Sequence, residues 1–150
     1  MNYRKTMSRL NTALSCIDAA YETIAKKHGL TFNALMMFYL ITESENMTQK
    51  QVCNELHLQK STVHSILMEL VKRSLVTLVE SGNKKEKYIA VTKAGALYFQ
   101  NVLEDTQQME QNVLDALGEE TCTFLTETAE VIGELMLKEV ARIHEDEVIN

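Results

Sequence analysis

Residues 48–92 read TQKQVCNELHLQKSTVHSILMELVKRSLVTLVESGNKKEKYIAVT, and this stretch decides the fold. Thr48 and Gln51 stand at the spacing of a capping box, in which the hydroxyl accepts from one orphan amide and the glutamine side chain returns to the other. A short helix is therefore predicted from about Gln49 to near His57, with Val52, Cys53 and Leu56 on its buried side. After the turn His57-Leu58-Gln59 the apolar rhythm resumes through Val63, Ile66, Leu67, Leu70 and Val71, which predicts a second helix. Its opposite face carries Lys60, Ser61, Thr62, His64, Ser65, Met68, Glu69 and Lys72, and the N-terminal half of that face has no acid. Such a face suits a groove lined by phosphates.

The helix pair alone is equally an ordinary helical hairpin in a bundle. The residues directly after the pair tip the balance. Val76 to Glu80 and Lys87 to Thr92 read as two strands, joined by Ser81-Gly82-Asn83-Lys84-Lys85-Glu86, where Gly and Asn allow positive φ and the lysines suit phosphate or minor groove. Helix, turn, helix and lysine-tipped ribbon in that order make a winged helix-turn-helix, whose second helix enters the major groove of double-stranded DNA.

The chain has 150 residues, 45% of them hydrophobic, enough for one well-buried domain without disulfide or metal. It has no Pro and only 5 Gly, so nothing reads as a flexible linker, and helix must dominate. The net charge of -6 is unevenly spread. Residues 48–93 hold eight basic and four acidic residues, whereas residues 94–150 hold two basic and thirteen acidic ones. The positive charge therefore sits where groove contacts are expected, and the acidic tail keeps the rest off DNA. The three cysteines, Cys16, Cys53 and Cys122, are widely spaced on or beside apolar stripes, as reduced thiols of a cytoplasmic protein would be. No apolar run reaches membrane-spanning length, and the N-terminus lacks the apolar segment of a signal peptide.

Outward from the centre, Met7, Leu10, Leu14, Ile17, Tyr21 and Ile24 mark a long amphipathic helix with a near-heptad seam, ending at Gly29. Thr31 caps a second helix to about Thr42, apolar on most sides and so buried between layers. Beyond the ribbon Thr92 caps a long helix ending at Gly118, and a last helix begins at about Glu119 with a face dense in Glu. The fold class is thus mainly α with a small β-wing: a winged helix over residues 31–92, flanked by helices at 1–30 and 93–150. A winged helix of that size cannot cover those flanking seams, so they should bury each other and a second copy. A homodimer also sets two recognition helices about one DNA turn apart, as a pseudo-palindromic site requires.

The chain resembles the MarR family of dimeric transcriptional regulators along nearly all its length. The residues that carry the likeness are Leu30-Thr31 at the second helix, Lys60-Ser61-Thr62-Val63 at the recognition helix, Leu75-Val76 after it, and Val91-Thr92-Lys93-Ala94-Gly95 closing the wing. The resemblance implies a winged helix in each subunit, a dimer interface of N- and C-terminal helices, and often a small-molecule pocket where the two meet. Three departures matter. Asn83-Lys84-Lys85 replaces the usual Asp-x-Arg of the wing, Ser65 stands where an arginine is frequent, and Ser74 replaces the glycine that ends the recognition helix. Base reading would then fall to Ser61, Thr62, His64 and Ser65, with Lys60, Lys84, Lys85 and Lys87 as phosphate anchors. Hydroxyls discriminate bases weakly, so shape and water should contribute more than usual.

Tyr21, Met36, Phe38, Tyr39 and Met68 could line a pocket for a small apolar or aromatic effector, as the resemblance implies, although methionines at helical spacing are more often plain core. Cys53 and His57 stand at a metal-chelating spacing, but no second pair accompanies them and neither metal nor cofactor is expected. Cys16 has no neighbouring cation to activate it, which favours a buried inert thiol, and His28 and His144 read as isolated and solvated. No phosphate loop, zincin motif or nucleophile elbow appears, so an enzyme is not expected. The sequence reading is a cytoplasmic, ligand-responsive, homodimeric repressor. The alternatives are a winged-helix protein with weakened DNA contacts that works through protein partners, and a thiol or metal sensor of the same fold.

Overall fold

The structure, a computed structural model, describes residues 2–82 and 86–148, with side chains to residue 144. Its elements run α1 (Tyr3–Lys27), α2 (Phe32–Glu43), α3 (Gln49–Leu56), α4 (Lys60–Lys72), β1 (Val76–Glu80), β2 (Lys87–Val91), α5 (Lys93–Leu117) and α6 (Glu119–Val148). The class is mainly α with a two-stranded antiparallel wing, as the hydrophobic periods require. The chain divides into two compact units, residues 1–106 and 107–150.

In the first unit, local chemistry starts and stops each helix. The Asn2 side chain accepts from the Lys5 amide to open α1, and Thr31 accepts from Ala34 to open α2. Gly29, at φ 69, lets the chain reverse between them. Because α2 is apolar on most sides, it sits at the centre: Leu35, Met37 and Phe38 are fully buried, with Val52 from α3, Val63, Leu67 and Leu70 from α4, Val76 from β1, and Phe99 and Val102 from α5. The Phe38 and Phe99 rings stack with centroids 4.7 Å apart, so the first half of α5 belongs to the same core as the winged helix. The wing pairs Val76 with Val91 and Glu80 with Lys87 at its two ends. Its β2 strand is further tied to the link before α3, where the Ile89 amide donates to the Met47 carbonyl at 2.8 Å.

Two residues, His28 and Cys16, differ from what the sequence leads one to expect. His28 is not solvated: its side chain is 17% exposed and its Nε2 lies 2.6 Å from Asp105 of α5, a partner 77 residues away in sequence. Cys16 is not a buried thiol within the chain, because residues 11–20 of α1 are exposed on every side.

The second unit holds the end of α5 and α6. Gly118 takes φ 81 between them, and its amide donates to the Leu114 carbonyl at 2.9 Å. None of the described side chains of α6 is fully buried, and Phe124, Leu135, Leu137, Val140 and Ile143 are all exposed. No helix among the described residues is long and apolar enough to cross a membrane.

Candidate nucleic-acid interface

The helix that precedes α4 begins with a capping box. The Thr48 hydroxyl accepts from the Gln51 amide at 3.2 Å, and the Gln51 side chain accepts from the Thr48 amide at 2.8 Å. This fixes the start of α3. At its end His57 adopts the left-handed region, φ 51, so that the Leu58 amide reaches back to the Cys53 carbonyl at 3.2 Å. The chain therefore turns within three residues and enters α4, where the Gln49 side chain reaches the Lys60 carbonyl at 3.4 Å.

Val63, Leu67 and Leu70 hold α4 in the core. The helical period then places Ser61, His64, Ser65 and Met68 on one outward row, all exposed, with Lys60 exposed at the start and Thr62 half-buried beside them. No side chain caps α4 at Gln59, and its first turn has no acid. Its N-terminal amides and dipole are thus unopposed by negative charge, a setting that favours phosphate oxygens.

Lys87, opposite Glu80 in the wing, is exposed. The Ser81 hydroxyl donates to the Glu86 carbonyl at 2.7 Å and closes the base of the wing tip. Asn83, Lys84 and Lys85 lie outside the described residues. Between α3, α4 and the wing runs a groove of about 600 Å³, with Leu67 and Leu78 in its lining and Lys50, Lys60 and Lys87 around it. Only the folded arrangement brings Lys50, from α3, beside the other two lysines. Three ammonium groups against the one carboxylate of Glu86 leave the groove positive, which suits a polyanion. Cys53 also lines that groove, half-buried, whereas His57 is exposed at the helix end, and no metal-holding cluster occurs among the described residues.

At the far end of α4, Ser74 occupies the left-handed region at φ 58, and the Leu75 amide returns to the Leu70 carbonyl at 3.0 Å. The Thr92 hydroxyl donates to the Ser74 carbonyl at 2.7 Å and accepts from the Gly95 amide at 2.9 Å. One side chain thus caps α5 and fastens it to the end of the recognition helix.

The five residues considered for an effector pocket are divided. Phe38 is filled against by Phe99, Tyr39 donates to the buried Thr106 hydroxyl, and Tyr21 and Met36 pack on the same core. Met68 stands instead on the exposed row with Ser61, His64 and Ser65. Nearby, hydrogen bonds from the Lys27 ammonium first and the His28 imidazole second hold the Asp105 carboxyl below its ordinary range.

Residues 28–85 match the family model described as MarR family. No curated protein sequence matches the chain. Among solved structures, a MarR family regulator from Neisseria meningitidis is 21% identical, with a TM-score of 0.80 over 95% of this chain and 99% of that one. Staphylococcus aureus MarR, solved with salicylate and kanamycin, is 20% identical, with a TM-score of 0.75 over 91% of this chain and 93% of that one. NadR in complex with 4-hydroxyphenylacetate is 17% identical, with a TM-score of 0.74 over 82% of this chain and 88% of that one. The winged-helix segment 28–85 is thus similar to the MarR family, and the chain shares the fold of solved MarR regulators on through the flanking helices.

Proposed function

We propose that this protein is a DNA-binding transcriptional regulator that works as a homodimer, with α4 of each subunit in the major groove of a pseudo-palindromic site. One observation carries the reading: the first two turns of α4 expose Lys60, Ser61, His64 and Ser65 on an acid-free row, while the other side of the same helix is locked in the core. Lys50 and Lys87 line one groove with Lys60 and so add positive charge beside that row. In this reading Ser61, Thr62, His64 and Ser65 read base edges, Lys60 and Lys87 hold phosphates, and Lys84 and Lys85 of the wing add to the hold. The flanking segments 1–30 and 93–150 form the dimer interface, which accounts for the apolar residues that α1 and α6 leave exposed.

Regulation is proposed to be repression that responds to a small apolar or aromatic effector. Support comes from two neighbours of this fold whose structures hold salicylate and 4-hydroxyphenylacetate, both aromatic acids.

Selection of bound fragments from genomic DNA by the purified protein, combined with retention assays across a salt series, tests the proposal. An enriched half-site repeated with two-fold symmetry, and affinity that falls steeply as salt rises, are expected. A protein that retains no duplex at low salt would sink the reading and favour action through protein partners.

A further inference from the structure

At the C-terminal end of α4 side chains converge on the turn between α1 and α2. Arg73 donates from Nη1 to the Gly29 carbonyl at 3.1 Å, and its guanidinium carbon stands 4.9 Å from the centre of the Tyr98 ring. The Tyr98 hydroxyl donates to the His28 carbonyl, while Lys27 and His28 both meet Asp105 at 2.7 and 2.6 Å. Residues 27–29 are thus gripped by Arg73, which caps the end of α4, and by two residues of α5. Beside the grip a cleft of about 300 Å³, bordered by Thr31, Ala34, Ser65, Ile66 and Glu69, parts α4 from the start of α2. Leu30, Ala34, Ile66 and Leu70 supply the apolar packing on that side, and Arg73 adds a directional polar tie between the end of α4 and Gly29.

We infer that Arg73 is a positioning residue for the recognition helix. It fixes the angle at which Ser61, Thr62, His64 and Ser65 are offered to base edges, and it ties that angle to α1 and α5. The inference rests on the DNA-reading role proposed above. Guanidinium suits the task because its planar fork donates to the Gly29 carbonyl while its face lies on the Tyr98 ring; a lysine ammonium, a compact point charge, cannot do both. Base readout depends on the angle of the helix, whereas flexible lysines follow phosphates over a range of angles. Loss of Arg73 therefore costs discrimination rather than general attraction.

The test compares wild type with Arg73→Ala, Arg73→Lys and Tyr98→Phe, which keeps the ring and removes only the hydroxyl. Two measurements are made: affinity for the selected duplex and for a scrambled one across a salt series, and amide hydrogen exchange of the free protein. Arg73→Ala and Arg73→Lys should both lose about tenfold in the ratio of selected to scrambled affinity, comparable to one mismatched base pair, with an unchanged salt slope. Exchange should rise in the last turn of α4 and at Leu30, with a smaller rise for Tyr98→Phe. A salt slope lower by about 1 in Arg73→Ala alone would make Arg73 a phosphate contact and overturn the inference. Unaltered discrimination in well-folded variants, or unaltered exchange, would overturn it too. If exchange rises but the wild type itself binds no duplex, the regulator reading falls and the positioning role with it, which separates that failure from a failure of the grip.

Discussion

The carbonyl oxygen of Leu75 fills the space that a Cβ on Gly95 would need. A methyl group there would collide with backbone, and no side-chain rotation relieves it. Since Gly95 sits in the first turn of α5 under the Thr92 cap, the collision would push α5 off the end of α4. Gly95→Ala should destabilise the fold by about 2–3 kcal/mol, read as a lower denaturant midpoint with an unchanged slope.

Ser74 is the opposite case, a position that glycine would suit better. Its φ of 58 is unfavourable for a residue with a Cβ, and the Ser74 contact to Thr92 uses the backbone carbonyl, which any residue supplies. Ser74→Gly should stabilise by about 0.5–1 kcal/mol, the relieved strain being partly offset by the extra freedom of glycine when unfolded. A thermal melt that falls instead of rising would show the Ser74 side chain to be making a contact of its own.

Asp105 predicts a pH dependence. An acid held below its ordinary range when folded contributes stability above its unfolded pKa and loses that contribution as pH falls through the folded value. Wild-type stability should therefore drop below about pH 4 as the Lys27 and His28 contacts are released. Asp105→Asn should be less stable than wild type at neutral pH and should show a shallower loss in acid. Parallel stability curves for the two proteins below pH 4 would contradict this.

The lysines around the groove predict a change in salt response. Lys60→Ala with Lys87→Ala should weaken binding to every duplex and lower the magnitude of the salt slope by about 2, one for each phosphate contact removed. His64→Ala should alter which sequences are selected and leave the slope alone. Site selection with each variant distinguishes the two effects.

How far the sequence can be read depends on the range of the interactions. The capping box at Thr48 and Gln51 is a contact three residues apart, so its letters announce it, and strand β1 falls at Val76–Glu80, where the sequence reads as a strand. The outward row of α4 comes from the period of Val63, Leu67 and Leu70. The contacts of Arg73 with Gly29, Tyr98 with His28, and Asp105 with His28 span 44, 70 and 77 residues. Helical rhythm shows which side of an element turns inward but not what it meets there, so the letters around His28 describe a surface group while the fold gives it a carboxylate. Likewise Lys50 joins Lys60 and Lys87 only once the wing has folded back on α3.

Helix α6 keeps thirty residues with none of its described side chains fully buried. If a twin molecule provides the missing cover, melting and dissociation become one event governed by mass action. Dilution would then lower the melting temperature, and scarce protein would offer the uncovered apolar residues of α6 to proteases.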